Sequence, residues 1–166
     1  MNKTTAAKTL LTVAPLLEQF CEALKKANHA NAIRSFNGTI DTLALCDKII
    51  EQTLRADSLH NLKIKIQRLI DSLPRRESQV LHSHFLDQQT TTKTAEDLNV
   101  TQRTVFRRLK TAVDDFAQKL DTIAINSFTF DELLRRNRWI SAEYKRQQQL
   151  ANHRSGVFGT DNGCAL

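Results

Sequence analysis

The stretch that decides the fold runs Thr92-Lys-Thr-Ala-Glu-Asp-Leu-Asn-Val-Thr-Gln-Arg-Thr-Val-Phe-Arg-Arg-Leu-Lys110. Two helical segments meet in it across a tight turn. Ala95 lies where the helices cross, and only a small side chain lets them approach. Leu98 and Val100 fill the wedge between them. Asn99 falls at the turn, where a positive φ is often required; Asn is among the few non-glycine residues that tolerate it. Thr101 is placed to cap the second helix. Val105 and Leu109 face back into the core, which leaves Gln102, Arg103, Phe106, Arg107 and Lys110 on the outward face.

That outward face suits a DNA major groove. Arg can donate two hydrogen bonds to a guanine edge, and Gln can bond both edge atoms of an adenine. The second helix of such a unit presents its N-terminal residues to base edges. Residues 102–111 carry four positive charges (Arg103, Arg107, Arg108, Lys110) and no negative one. The acids Asp114 and Asp115 follow, so contact is expected to end near Lys110. Arg108 points to the flank by its helical phase. The expected partner is double-stranded DNA.

Working outward, the remaining segments show helical apolar spacing. Residues 1–7 read as frayed; Leu10, Leu11, Ala14, Leu17, Cys21 and Leu24 then mark a helix over about 8–26, and 28–31 reads as a loop. Ile33, Phe36, Ile40, Leu43, Ile50 and Leu54 form a second stripe, interrupted by Asp47, with a kink possible at Gly38. Asp57 or Ser58 is placed to cap a third helix with Leu59, Leu62, Ile66, Leu69, Ile70 and Leu73 on its face. Pro74 is a helix start, since proline is tolerated in a first turn. Helices are expected over 75–86, 92–98 and 102–120, with a turn at 87–91. A last helix, capped by Thr129 with Glu132 three residues on, runs to about Leu150 and carries Trp139 and Tyr144. The chain has only 4 Gly and 2 Pro, too few to punctuate an all-β chain of 166 residues. The fold class is therefore all-α, a helical bundle with a helix-turn-helix in its C-terminal half.

Residues 73–120 resemble sigma factor region four. Leu73-Pro74-Arg75-Arg76-Glu77 with Val80-Leu81 fits that family's opening helix. Ala95-x-x-Leu98-Asn99-Val100-Thr101 fits its turn, and Thr104-Val105-x-x-Arg108-Leu109-x-x-Ala112 fits its reading helix, with no gap needed. The resemblance implies that Gln102, Arg103, Phe106 and Arg107 face promoter bases, with Thr101 near phosphate. This chain departs from the pattern at Gln88 and Asn99, where glycine is usual, and at Lys93 and Thr94, where Glu-Ile is usual. LuxR-type response regulators share much of the motif, but no receiver-like βα alternation precedes it here. A complete small sigma factor also has a region two, acidic and rich in aromatics that grip melted DNA. Residues 1–72 hold two aromatics, Phe20 and Phe36, and no such pattern. In this the chain resembles phage-encoded late transcription regulators of the ArpU type, short helical proteins with a region-four module and no region two.

The organisation expected is 1–72 as an N-terminal helical region for oligomerisation or partner binding, 73–120 as the DNA-binding module, 121–152 as a C-terminal helix and 153–166 as an unstructured tail. Net charge is +6, with a pI near 9.5, which favours polyanions. Cys21, Cys46 and Cys164 have no metal-ligand spacing and read as free thiols of a reducing cytoplasm, with Cys21 and Cys46 as small apolar core residues. No run reaches the roughly 18 apolar residues of a membrane span, so a cytoplasmic protein without a membrane partner is expected. His82 and His84 lie at i, i+2, on different helix faces, whereas helical metal sites use i, i+4. No phosphate loop occurs, so no cofactor, metal or enzymatic activity is expected.

Three readings follow. The first is a sequence-specific transcription regulator. The second is an interaction protein whose module binds RNA polymerase or another regulator and touches DNA weakly. The third is a DNA-marking protein like a phage small terminase subunit, though those usually carry the motif near the N-terminus. The two N-terminal stripes exceed what a module of about fifty residues can bury. They must pack within the chain or against a second copy, and a homodimer would suit two half-sites.

Overall fold

Lys3–Val13 forms α1, and burial makes this first helix the centre of the molecule. Ala6, Ala7, Thr9, Leu10 and Leu11 have no exposed surface. The computed structural model describes residues 2–35 and 41–156; Phe36, Gly38, Ile40 and Cys164 lie outside the described residues. The segment 1–7, read from sequence as frayed, is thus helical from Lys3 and partly core. Its burial rests on Ala6 and Ala7, whose small side chains carry little periodic signal but let neighbouring helices approach closely. Asn2 caps it by accepting from the Thr5 amide at 3.2 Å.

Pro15 lacks the N–H that would continue α1, and Ala14–Leu16 tightens into a 3-10 turn. The helix expected over 8–26 is therefore two helices, α1 and α2 (Leu17–Ser35). Residues 28–31, read as a loop, lie inside α2 because Asn28 and Asn31 turn inward. Their amides bond Thr53 Oγ1 at 3.0 Å and Gln52 Oε1 at 3.2 Å on the next helix.

That helix, α3 (Thr42–Asp71), has 30 residues and is about 45 Å long at 1.5 Å per residue. Asp41 is its cap, donating nothing and accepting from the Leu43 amide at 3.1 Å. No new helix starts at Asp57 or Ser58: Ala56 and Leu59 are both buried along one uninterrupted face, so no cap is needed there. α3 runs antiparallel to α2 as far as Lys63, which pairs with Glu18 at 2.6 Å. The ammonium holds the Glu18 carboxyl below the usual carboxylate range. The second half of α3 enters the main core through Leu59, Leu62, Ile66, Leu69 and Ile70.

Beyond Pro74 come α4 (Arg75–Leu81), a π turn over His82–Leu86, α5 (Thr91–Asp97) and α6 (Gln102–Gln118). A 3-10 turn at Lys119–Ile123 leads to α7 (Ser127–Arg136) and α8 (Arg138–Gly156). The single last helix expected from sequence is broken at Asn137, whose backbone is extended (φ −128°, ψ 90°). Asn137 is buried and accepts from Arg55 Nε at 3.0 Å, so a polar contact to α3 holds the break. The cap of α7 is Asn126, not Thr129: Thr129 closes a reciprocal capping box with it, and Glu132 instead pairs with Arg135 and Arg136 at 2.6 Å each. These cations hold the Glu132 carboxyl below its ordinary range. α8 continues to Gly156, beyond the expected end at Leu150, and residues 157–166 lie outside the described residues.

Among the described residues the chain is helical throughout, with no strand, as the sequence implied. One cluster joins Leu10, Leu17, Ile70, Phe116, Phe130 and Ile140, so all regions of the chain share it. Phe20 stacks on Trp139 with centroids 4.0 Å apart, and Phe130 meets Tyr144 edge-on at 5.2 Å. Both C-terminal aromatics are thus packed within the chain. The first N-terminal stripe is buried the same way, and burial pushes the Cys21 thiol up. The second is not: Ile33, Leu43, Ile50 and Leu54 are exposed, and Cys46, expected in the core, is exposed too because it lies on the outer half of α3 away from the main core.

The two stripes should behave differently on substitution. Leu10→Ala should cost about 2–5 kcal/mol in urea unfolding, as for a fully enclosed leucine. Ile50→Ser, on the exposed face, should change the unfolding of the dilute, monomeric chain by no more than about 0.5 kcal/mol.

Candidate nucleic-acid interface

The two helices of the reading unit are set by the turn between them. Leu98 ends α5, and Asn99 follows with φ 49°. The Val100 amide bonds Ala95 O at 2.9 Å and the Asn99 amide bonds Glu96 O at 3.0 Å. These are the two reversed bonds of a Schellman ending, which demands a left-handed residue at Asn99's position. The accompanying apolar contact is present too: Val100 packs with Ala95 in a small cluster with Val80, Val105, Leu98 and Leu109. This cluster sits between α4, α5 and α6 and fixes their angles apart from the main core.

Left-handed residues recur at Gln88, where the family resemblance expected glycine, and at Ala124, a position outside that expectation. Gln88 has φ 53°, and the Gln89 amide reaches back to Ser83 O at 2.9 Å. Ala124 has φ 57°, with the Ile125 amide on Leu120 O at 3.1 Å. Thr94, which replaces a usual isoleucine, is fully buried without leaving its hydroxyl unpaired: it donates to Thr90 O at 3.0 Å. His82 and His84 also diverge as their spacing implied. His82 lies 3.1 Å from Asp71, and His84 lies 3.2 Å from Gln89 O.

Thr101 caps α6, accepting from the Thr104 amide at 3.3 Å. Thr101, Gln102, Arg103, Phe106, Arg107 and Lys110 are all exposed, and Val105 is fully buried. The structure therefore brings the six sequence candidates together on the first two and a half turns of one helix. Arg108 is half-buried at the flank. Phe106 is 58% exposed, a large apolar ring held in solvent. Among the described residues, Arg103, Arg107 and Lys110 have no carboxylate within ion-pair distance, so their charge is open to a ligand. The capped N-terminus of α6 adds the positive end of the helix dipole.

Residues 63–114 match the family model for Sigma-70, region 4. A helix-turn-helix of that type is therefore present, and it suits DNA binding in transcription. The match begins in the last turns of α3, ten residues before Leu73, and ends about one turn before the end of α6. It covers under a third of the chain. No curated protein and no solved structure matches the chain. Among the described residues no three or more His, Cys, Asp or Glu are grouped to hold a metal ion, and no helix is long and apolar enough to cross a membrane.

One polar contact was not foreseen from sequence. Gln102 Nε2 donates to Thr92 Oγ1 at 2.7 Å, tying the start of the reading helix to the start of α5. Ten residues separate the two, and neither side chain belongs to an apolar pattern.

The left-handed turns make a stability test. Asn99→Ala should cost about 1 kcal/mol, because Ala loses the tolerance of Asn for positive φ. Ala124→Gly should gain a comparable amount, about 0.5–1 kcal/mol. Thermal or urea unfolding measures both, and the same sign in both variants would contradict the turn geometry.

Proposed function

We propose that the chain is a sequence-specific DNA-binding transcription regulator that acts by binding rather than by catalysis. The observation that carries this reading is the unpaired cationic face of α6 on a region-four scaffold. Arg103 and Arg107 take the base edges, Gln102 and Phe106 assist at the N-terminal end, and Thr101 and Lys110 meet phosphate. The module is promoter-reading, and the reading extends to a cytoplasmic regulator of the phage or mobile-element kind. Supporting it, Phe20 is stacked in the core on Trp139. An aromatic so engaged does not serve to grip melted DNA.

A second reading is that the module contacts RNA polymerase or another regulator and holds DNA weakly. The exposed Leu43, Ile50 and Leu54 favour keeping it, since they give one side of α3 an apolar face outside the core. In the first reading a second copy covers that face, and a homodimer places two reading helices on adjacent half-sites.

Arg103→Ala and Arg107→Ala should each weaken binding to a selected duplex by about 1–3 kcal/mol and relax specificity at one base pair. Arg108→Ala should do less. Unchanged affinity and specificity in both of the first two variants would contradict the reading. Sedimentation at micromolar concentration should show a dimer that Ile50→Glu dissociates; a monomer on a single asymmetric site would support the polymerase-recruiting form instead.

A further inference from the structure

The DNA-reading face does not end at the helix-turn-helix. On one flank of α6 lies α5, joined through Gln102 and Thr92. On the other flank a groove opens between α6, α1 and α8. Phe106, Leu109 and Lys110 form its α6 wall, Lys8 and Thr12 its α1 wall and Gln147 and Leu150 its α8 wall, and Phe85 of the π turn also lines it. The groove thus shares Phe106 and Lys110 with the exposed face of α6.

We propose that this groove seats the sugar-phosphate strand bordering the major groove that α6 enters, with Lys8 as a phosphate contact supplied from outside the recognised module. This rests on the DNA-binding reading above. A helix with its side chains is about 10–12 Å across and the major groove about 12 Å wide, so whatever stands beside an inserted helix meets the backbone. Here α1 and α8 stand beside it. Lys8 is half-buried, and among the described residues neither it nor Lys110 has a carboxylate within ion-pair distance. Thr12 and Gln147 add hydrogen-bonding groups to the walls. The rings and chains of Phe106 and Leu150, 58% and 47% exposed, offer apolar contact to deoxyribose. Asp114 also lines the groove, one turn beyond Lys110 on α6, and its charge opposes a phosphate at that end.

The test uses the full chain, a duplex obtained by binding selection and a scrambled duplex, with affinities measured over a series of salt concentrations. Lys8→Gln should weaken binding to both duplexes by the same factor, leaving their ratio unchanged. It should also lower the steepness of log K against log salt by about 0.9, the loss of one phosphate contact. Lys8→Arg should restore the slope, and an unchanged melting temperature in both variants separates charge from folding. A wild-type slope in Lys8→Gln, with Lys110→Gln and Arg107→Ala still impaired, overturns the groove assignment. It leaves the reading helix intact and the groove to an occupant other than nucleic acid. Failure of the wild-type chain to bind any duplex overturns both.

Discussion

The structure depends on the burial of α1 against α6 and α8. Ala6 and Ala7 bring backbones close, and Leu10 and Leu11 fill the space behind them with no surface left to solvent. The partner surface on α6 is Ala112, Val113, Phe116 and Ala117, the half of the helix that does not face outward. A single helix is therefore divided by function. Its C-terminal half is clamped in the main core, and its N-terminal half projects Arg103, Phe106 and Arg107 into solvent. Core packing fixes the height and direction from which these side chains leave the helix, the rigidity that the proposed base reading needs.

Two further constraints orient the reader. The Schellman ending at Asn99 sets the angle between α5 and α6, and the small cluster around Val80, Ala95 and Val105 holds α4 against both. This cluster is modest. The reading unit alone has little to stabilise it, and the rest of the chain supplies the core that it lacks. The hairpin of α2 and α3 serves that core through Leu17 and Cys21 of α2 and through the second half of α3. The outer half of α3 packs on α2 and leaves Leu43, Ile50 and Leu54 in solvent.

How much was legible follows from whether the determinant was local. Residues 92–110 could be read because capping, crossing, turn and periodicity all lie within twenty residues and agree with one another. The six exposed candidates on α6 and the positive φ at Asn99 follow from that local agreement. The central place of α1 was hidden, since alanines and threonines buried by distant helices leave no apolar stripe. The continuity of α3 past Asp57 was hidden for the opposite reason: a good capping residue occurs where tertiary packing carries the helix through. The break at Asn137 is set by Arg55, 82 positions away in sequence. Likewise Lys8 and Gln147 share a groove with Phe106 only because the fold brings three helices together.

The central claim is that the projecting half of α6, held by the core behind it, is the surface that meets DNA. Amide and side-chain NMR shifts of the full chain, followed as a selected duplex is added, test it most directly. Perturbations should be largest over 101–111 and at Thr92, with Leu10, Phe116 and the outer half of α3 little changed. Shifts gathered on Leu43, Ile50 and Leu54 while 101–111 stays unperturbed would contradict the account and place the nucleic-acid surface elsewhere.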